Sequence, residues 1–226
     1  MSLPVLILRP IEGAQSTAAK AQALGLNPIV DPLFDIRPLP WTAPSADQYD
    51  AIMFSSANAV KMAGPNLQEY KALPALAVGP VTRQACEAAG FDVLETGVSG
   101  VQSLADKLPE GSFDRILRLS GKEYTSVKSD RSIHHVAIYE SVCIGLSQLA
   151  ETALKNGSIV LIHSMRAAQM LLSEMKKNEI ALDKNHIVAI SSKAAEAAGN
   201  GWKSVHFVDQ PTDEALLRLA ARLCSG

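Results

Sequence analysis

Small polar residues stand wherever an apolar run ends in this chain. The run "AIMF" (51–54) gives way to Ser55, Ser56 and Asn58, and "ALAV" (75–78) to Gly79 with Thr82 three residues on. "RILRL" (115–119) ends at Ser120 and Gly121, "IVLIH" (159–163) at Ser164, "IVAI" (187–190) at Ser191 and Ser192, and "VLIL" (5–8) at Arg9 and Pro10. At a strand-to-helix junction such a side chain caps the first helical turn. It adds a hydroxyl or amide to backbone N–H groups that lack a partner and carry the helix's partial positive charge. One junction alone reads as helix capping. Six together read as a receptor for anions, carboxylates or phosphates.

Other chemistries lack their patterns. There is no "GxGxxG" and no Walker lysine, the usual signatures of nucleotide binding. His163 is adjacent to Ser164 on a strand, so the two side chains point to opposite faces and form no catalytic couple; His163 is expected in packing. The remaining histidines show no metal-ligand spacing. Cys86, Cys143 and Cys224 are odd in number and far apart, which excludes a disulfide framework or a paired-cysteine zinc site. They read as small buried hydrophobes in a reducing compartment.

The elements that must position these groups alternate along the chain. Short runs of Val, Ile and Leu, continuous rather than alternating, read as strands buried on both faces of a parallel sheet. Between them lie helical patterns such as "GAQSTAAKAQAL", "VTRQACEAA" and "TDEALLRLAARL". Strand and helix in strict alternation predict an α/β fold with every junction on the ligand edge of its sheet. "AIMFSSANAV" matches "IVLIHSMRAA", and "ALAVGPVTRQACEAAGFDV" matches "IVAISSKAAEAAGNGWKSV", at an offset of ~110 residues that marks a duplicated unit.

Two similar open parallel-sheet domains, flavodoxin- or Rossmann-like, are therefore expected, with a ligand cleft between them. The proline-containing stretch 34–47 and the extended stretch 136–143 are assigned as a two-stranded linker. Residues 1–33 and 144–226 form the first, discontinuous domain and residues 48–135 the second. Residues near 1–33 are expected in one sheet with strands from 159–208, because the second half of the chain is otherwise short of strands.

With 21 Lys and Arg against 23 Asp and Glu, the formal net charge is −2, which argues against recognition of nucleic acid or an anionic membrane by bulk electrostatics. "MSLPVLILRP" lacks a cationic start and a cleavage site and reads as a strand rather than a signal peptide. A cytoplasmic protein is expected. No large apolar helix stripe demands a partner, so it is expected to be a monomer.

The ordered set "VLILRP", "ALGLNPIVDPLFDIRPL", "YDAIMFSSANAV", "AVGPVTRQACEAAGF", "VAIYESV", "VLIHSMRAA" and "PTDEALLRLAARL" resembles the uroporphyrinogen-III synthase family over nearly the whole chain. The resemblance implies an enzyme with neither cofactor nor metal that closes the linear tetrapyrrole hydroxymethylbilane. Water is lost and the last pyrrole ring inverted, by way of a spiro intermediate, to give uroporphyrinogen III. It also implies transient contact with the enzyme that makes hydroxymethylbilane. By its place in "VAIYESV", Tyr139 matches the family's tyrosine beside the cleft. A phenol is protonated at neutral pH and can donate a hydrogen bond to the departing hydroxide.

The substrate carries eight carboxylates while the protein is slightly acidic, so recognition falls to local donors. These are the junction groups Arg9, Ser55, Ser56, Asn58, Gly79, Thr82, Ser120, Gly121, Ser164, Ser191 and Ser192, with Arg83, Arg166 and Lys193 as further cations near junctions. Three departures stand out: Ser120 where the family often has an arginine, Ala194 where it has threonine, and a short segment from Gly121 to Tyr139. That segment is expected to hold a truncated or disordered helix. A two-lobed carboxylate-binding or regulatory protein, keeping the fold without the activity, is the alternative reading.

Overall fold

The computed structural model describes residues 3–98 and 100–225, apart from the side chains of Glu12 and Ser225. It divides into two compact units. One is built from both ends of the chain, up to Asp35 and from Val142 on; the other is Ile36–Ser141.

The sheet of the first unit has five strands: β1 (Val5–Ile7), β2 (Pro28–Val30), β9 (Ile159–Ile162), β10 (His186–Ala189) and β11 (Ser204–Phe207). Their order across it is β11-β10-β9-β1-β2. All four pairings are parallel, and β1 lies beside β9, as the repeat predicts. The continuous apolar runs have the expected cause. Leu6, Val160 and Ile162 pack on one face with α5 (Gln148–Asn156), α6 (Met165–Lys177) and α7 (Ser192–Ala198), while Val5, Ile7 and Leu161 pack on the other with α1 (Ile11–Ala23) and α8 (Asp213–Ser225). In chain order the strands run 2-1-3-4-5, the flavodoxin-like arrangement.

The second sheet has six strands: β3 (Phe34–Pro38), β4 (Ala51–Phe54), β5 (Ala75–Val78), β6 (Val93–Gly97), β7 (Arg115–Gly121) and β8 (Ser132–Cys143). Their order is β3-β8-β7-β4-β5-β6. Strands β4 to β8 are parallel where they pair, and their order from β6 to β8 is Rossmann-like, 3-2-1-4-5. Ile52, Phe54, Leu117 and Leu119 pack on one face with α2 (Ala57–Met62) and α3 (Pro80–Ala88). Ala51, Met53 and Ile116 face α4 (Val101–Lys107) on the other.

The apolar stretch "PIVDPLFDI" (28–36) is divided between the sheets: Pro32 lies between β2 in one and β3 in the other, and proline cannot donate to a ladder. The β7–β8 connection, residues 122–131, contains no helix at all. It runs as an irregular loop over α4, tied down by Gln102, which donates from Nε2 to Lys128 O and accepts from Lys128 N–H. Strand β8 itself takes in residues 136–143, with Tyr139 opposite Gly121 of β7. No helix among the described residues is long and apolar enough to cross a membrane.

Candidate active site

In an open parallel sheet the crevice lies where consecutive strands part in opposite directions, outside their carboxyl ends. In the six-stranded sheet that point is between β4 and β7. The residues ending those strands, Ser55 and Gly121, line a cavity of about 510 Å³ with Arg118, Tyr124 and Tyr139.

Tyr139 is held there by two local features. Its ring lies against Gly121, where an added Cβ would come within 2.9 Å of Tyr139 Cε2 and 3.2 Å of its hydroxyl. Its hydroxyl is 2.8 Å from Ser56 Oγ. Ser56 is the N-cap of α2, and its Oγ accepts from Ala59 N–H at 3.4 Å. Ser56 keeps a second lone pair and its own hydrogen, so either hydroxyl can donate in this bond. When Ser56 donates, a chain running Ala59 N–H, Ser56 O–H, Tyr139 O–H leaves the phenolic hydrogen for a ligand, each donor polarising the next.

The other predicted residues of this unit fall into distinct roles. Asn58 is half-buried in the first turn of α2, and Thr82 is buried inside α3. Gly79 caps α3 with φ +89°, a conformation that disfavours any side chain; its N–H bonds Gly97 O. Ser120 is 1 % exposed and turned inward, 2.6 Å from His135 Nε2 and donating to Gly121 O at 3.1 Å. Burial, then the charge of Arg118, pushes His135 below the usual histidine range, so the ring is neutral near pH 7. Arg83 is paired with Glu87 on the exposed face of α3.

In the five-stranded sheet the corresponding point is between β1 and β9. Ser164 and Ser191 cap α6 and α7, accepting from Ala167 N–H and Ala194 N–H at 3.1 and 3.3 Å, and Ser192 is exposed at the start of α7. Lys193 is also exposed, and Arg166 lies over the Phe34 ring at 4.5 Å.

Arg9 lies two residues past the end of β1, and its Nη1 donates to both oxygens of Asp213 at 3.0 and 3.1 Å. Asp213 also accepts from Thr17 Oγ1 at 2.7 Å and is 3.1 Å from His163 Nε2. Burial alone would raise the Asp213 carboxyl; Thr17, Arg9 and His163 together outweigh it and hold it below the usual carboxylate range. Burial and Arg9 push His163 down, more than Asp213 pulls it up. The neutral ring therefore donates to Asp213 as a hydrogen bond rather than an ion pair.

Sequence reading missed Asp213, Arg118, Tyr124 and His135. Asp213 lies 204 residues from Arg9 and carries no local signal. Arg118 was detectable: a charge at the centre of "RILRLS", in a strand buried on both faces, has to find a partner.

No curated protein sequence matches this chain. The solved structure of uroporphyrinogen-III synthetase from Helicobacter pylori matches at a TM-score of 0.68 with 20 % identity, covering 99 % of this chain and 100 % of its own. A mutant uroporphyrinogen III synthase from the extremely thermophilic bacterium Thermus thermophilus matches over 100 % of both chains at a TM-score of 0.55 with 16 % identity. These likenesses carry the fold. The family model for uroporphyrinogen-III synthase HemD matches residues 15–218, nearly the whole length, and the chain therefore belongs to the uroporphyrinogen-III synthase family, the lyases that cyclise hydroxymethylbilane in haem biosynthesis.

Proposed function

We propose that the reaction is centred on the carboxyl edge of β4 and β7, with Tyr139 as its catalytic group. The observation that carries this is the Tyr139–Ser56 hydrogen bond of 2.8 Å beside a cavity lined by Ser55, Gly121 and Tyr139. An electron-rich pyrrole expels its hydroxymethyl oxygen readily once a donor assists it. The phenol supplies that donor, strongest as negative charge builds on the departing oxygen. The substituted carbon of the last ring then attacks, forming the spiro intermediate whose reopening and reclosure invert the ring and give uroporphyrinogen III. The harder task is to hold the chain curled for that attack, which is positioning.

Carboxylates of the substrate are taken by junction donors, among them Ser55 and Ser56 and the first turn of α6 behind Ser164. Each unit contributes such donors of its own. The protein works in the cytoplasm as a monomer, without metal or cofactor, and binds neither nucleic acid nor membrane. It receives hydroxymethylbilane by transient contact with the enzyme that makes it. The direct test supplies the purified chain with enzymatically generated hydroxymethylbilane and separates the isomers formed. Type III product is expected; type I alone overturns the reading.

A further inference from the structure

The cavity beside Tyr139 contains a second group that the reaction chemistry leaves unused. Arg118 is 3 % exposed and lines the cavity wall. It lies on the face of β7 that the helix-free connection 122–131 crosses. Its Nη1 donates to Thr125 O at 2.8 Å, and its Cζ lies 5.3 Å from the centre of the Tyr124 ring, which in turn stacks on His135 at 3.6 Å. Nε is buried without any hydrogen-bond partner. Among the described residues no carboxylate pairs with Arg118, and Nη2 has no bonded partner either. Nε–H and Nη2–H form one edge of the guanidinium, the fork that donates to both oxygens of a carboxylate. A buried cation is normally retained only with its counter-charge. Here the protein's own groups satisfy one side of the guanidinium and leave the carboxylate-shaped side unmatched.

We infer that Arg118 is the receptor for one acetate or propionate side chain of the tetrapyrrole, anchoring it at the cavity beside Tyr139. This rests on the substrate assigned under the proposed function and adds a specificity-determining residue to it. Tyr124, 52 % exposed on the connection, flanks the guanidinium and limits how much water competes for it.

The test is calorimetric titration of uroporphyrin III, a stable octacarboxylate, into wild type, Arg118→Gln and Arg118→Lys, with thermal melting of each. Losing the charge-assisted fork is expected to weaken binding on the order of 10- to 100-fold in Arg118→Gln. Arg118→Lys, which keeps the charge without the fork, should recover only part of that affinity while melting close to wild type. KM for hydroxymethylbilane should rise in both variants with kcat changed far less, the mark of an interaction made equally before and during the reaction. If Arg118→Gln fails to fold, Arg118→Lys alone decides the matter. Wild-type affinity in a folded variant, or no uroporphyrin binding by wild type, overturns the inference. Wild-type turnover to type III is measured separately, so failure of the proposed reaction is distinguishable from failure of the anchor.

Discussion

The two sheets present the same topological feature and use it in opposite ways. Between β1 and β9, Arg9, Thr17 and His163 all converge on Asp213, and only His163 Nδ1 is left buried without a partner among them. Between β4 and β7, Tyr139 has one serine partner, Arg118 has an unmatched edge, and about 510 Å³ lies open beside them. Duplicated architecture therefore does not mean duplicated chemistry. One crevice directs its polar groups at holding α1 and α8 to the strands; the other keeps donors in reserve for a ligand. What separates them is the partner available. Asp213, the first residue of α8, reaches Arg9, whereas the passage after β7 has no helix to bring a carboxylate to Arg118.

The strongest challenge to this contrast is Tyr139→Phe. Removing a hydrogen bond that strengthens in the transition state costs on the order of 2–3 kcal/mol, so kcat should fall roughly thirty- to two-hundredfold. Melting should barely change, because the ring stays in place. Undiminished type III formation in isomer-resolved turnover would leave positioning to explain the whole rate effect. Asp213→Asn probes the other crevice and should do the reverse. It should lower stability by ~1–3 kcal/mol, allowing for the partial exposure of Arg9, with turnover within about threefold of wild type once activity is scaled to the folded fraction. Denaturant unfolding beside kinetics tests it. A turnover loss as large as that of Tyr139→Phe would mean both crevices are catalytic.

Gly121→Ala sharpens the picture of how the tyrosine is seated. A methyl group 2.9 Å from the ring must displace it, with an overpacking cost of ~1–3 kcal/mol. The expected signature is reduced kcat together with a modest drop in melting temperature. Ser56→Ala removes both the cap and the phenol's partner. It should reduce kcat by up to roughly tenfold, less than loss of the phenol itself.

The smallest effect expected is on pH dependence. Because the folded pKa of His163 lies below its unfolded value, the unfolded chain binds that proton first. Stability should therefore decline as pH falls from about 6.5 toward the folded pKa. Asp213, also lowered in the fold, adds a further loss as pH drops below its unfolded value near 3.8 and through the folded one. His163→Gln keeps a donor toward Asp213 and, in melting curves recorded across pH, should make the first decline shallower, leaving the parts due to His135 and His186, which burial also lowers, and the acid loss due to Asp213. An unchanged slope would remove His163 from the network's titration.

The α/β class and the capping serines were legible because both are local. A run such as "IVLI" needs both faces covered, and Ser56, Ser164 and Ser191 cap the helices that begin beside them. Tyr139 was legible only through resemblance; nothing in "VAIYESV" itself shows that β8 would set it opposite Gly121. Arg9 follows the strand Val5–Ile7 by two residues, close to where the apolar run placed it, but its partner lies near the other end of the chain, beyond any window of periodicity. The junction hydroxyls also differ in ways that sequence does not encode. Ser55 lines the cavity, whereas Ser120 is turned to His135 because the chain after β7 folds over it instead of starting a helix.

The seat of β1 between β2 and β9 also has a consequence for how the protein is made. Its apolar residues leave the ribosome early, yet the neighbour that completes their cover, Ile159–Ile162, is translated about 150 residues later. At ~5–20 residues per second that interval is roughly 8–30 s. Ile36–Ser141 is synthesised within it and becomes complete only shortly before β9 follows. The newborn chain thus passes through a stage with one unit formed and an adhesive "VLIL" waiting.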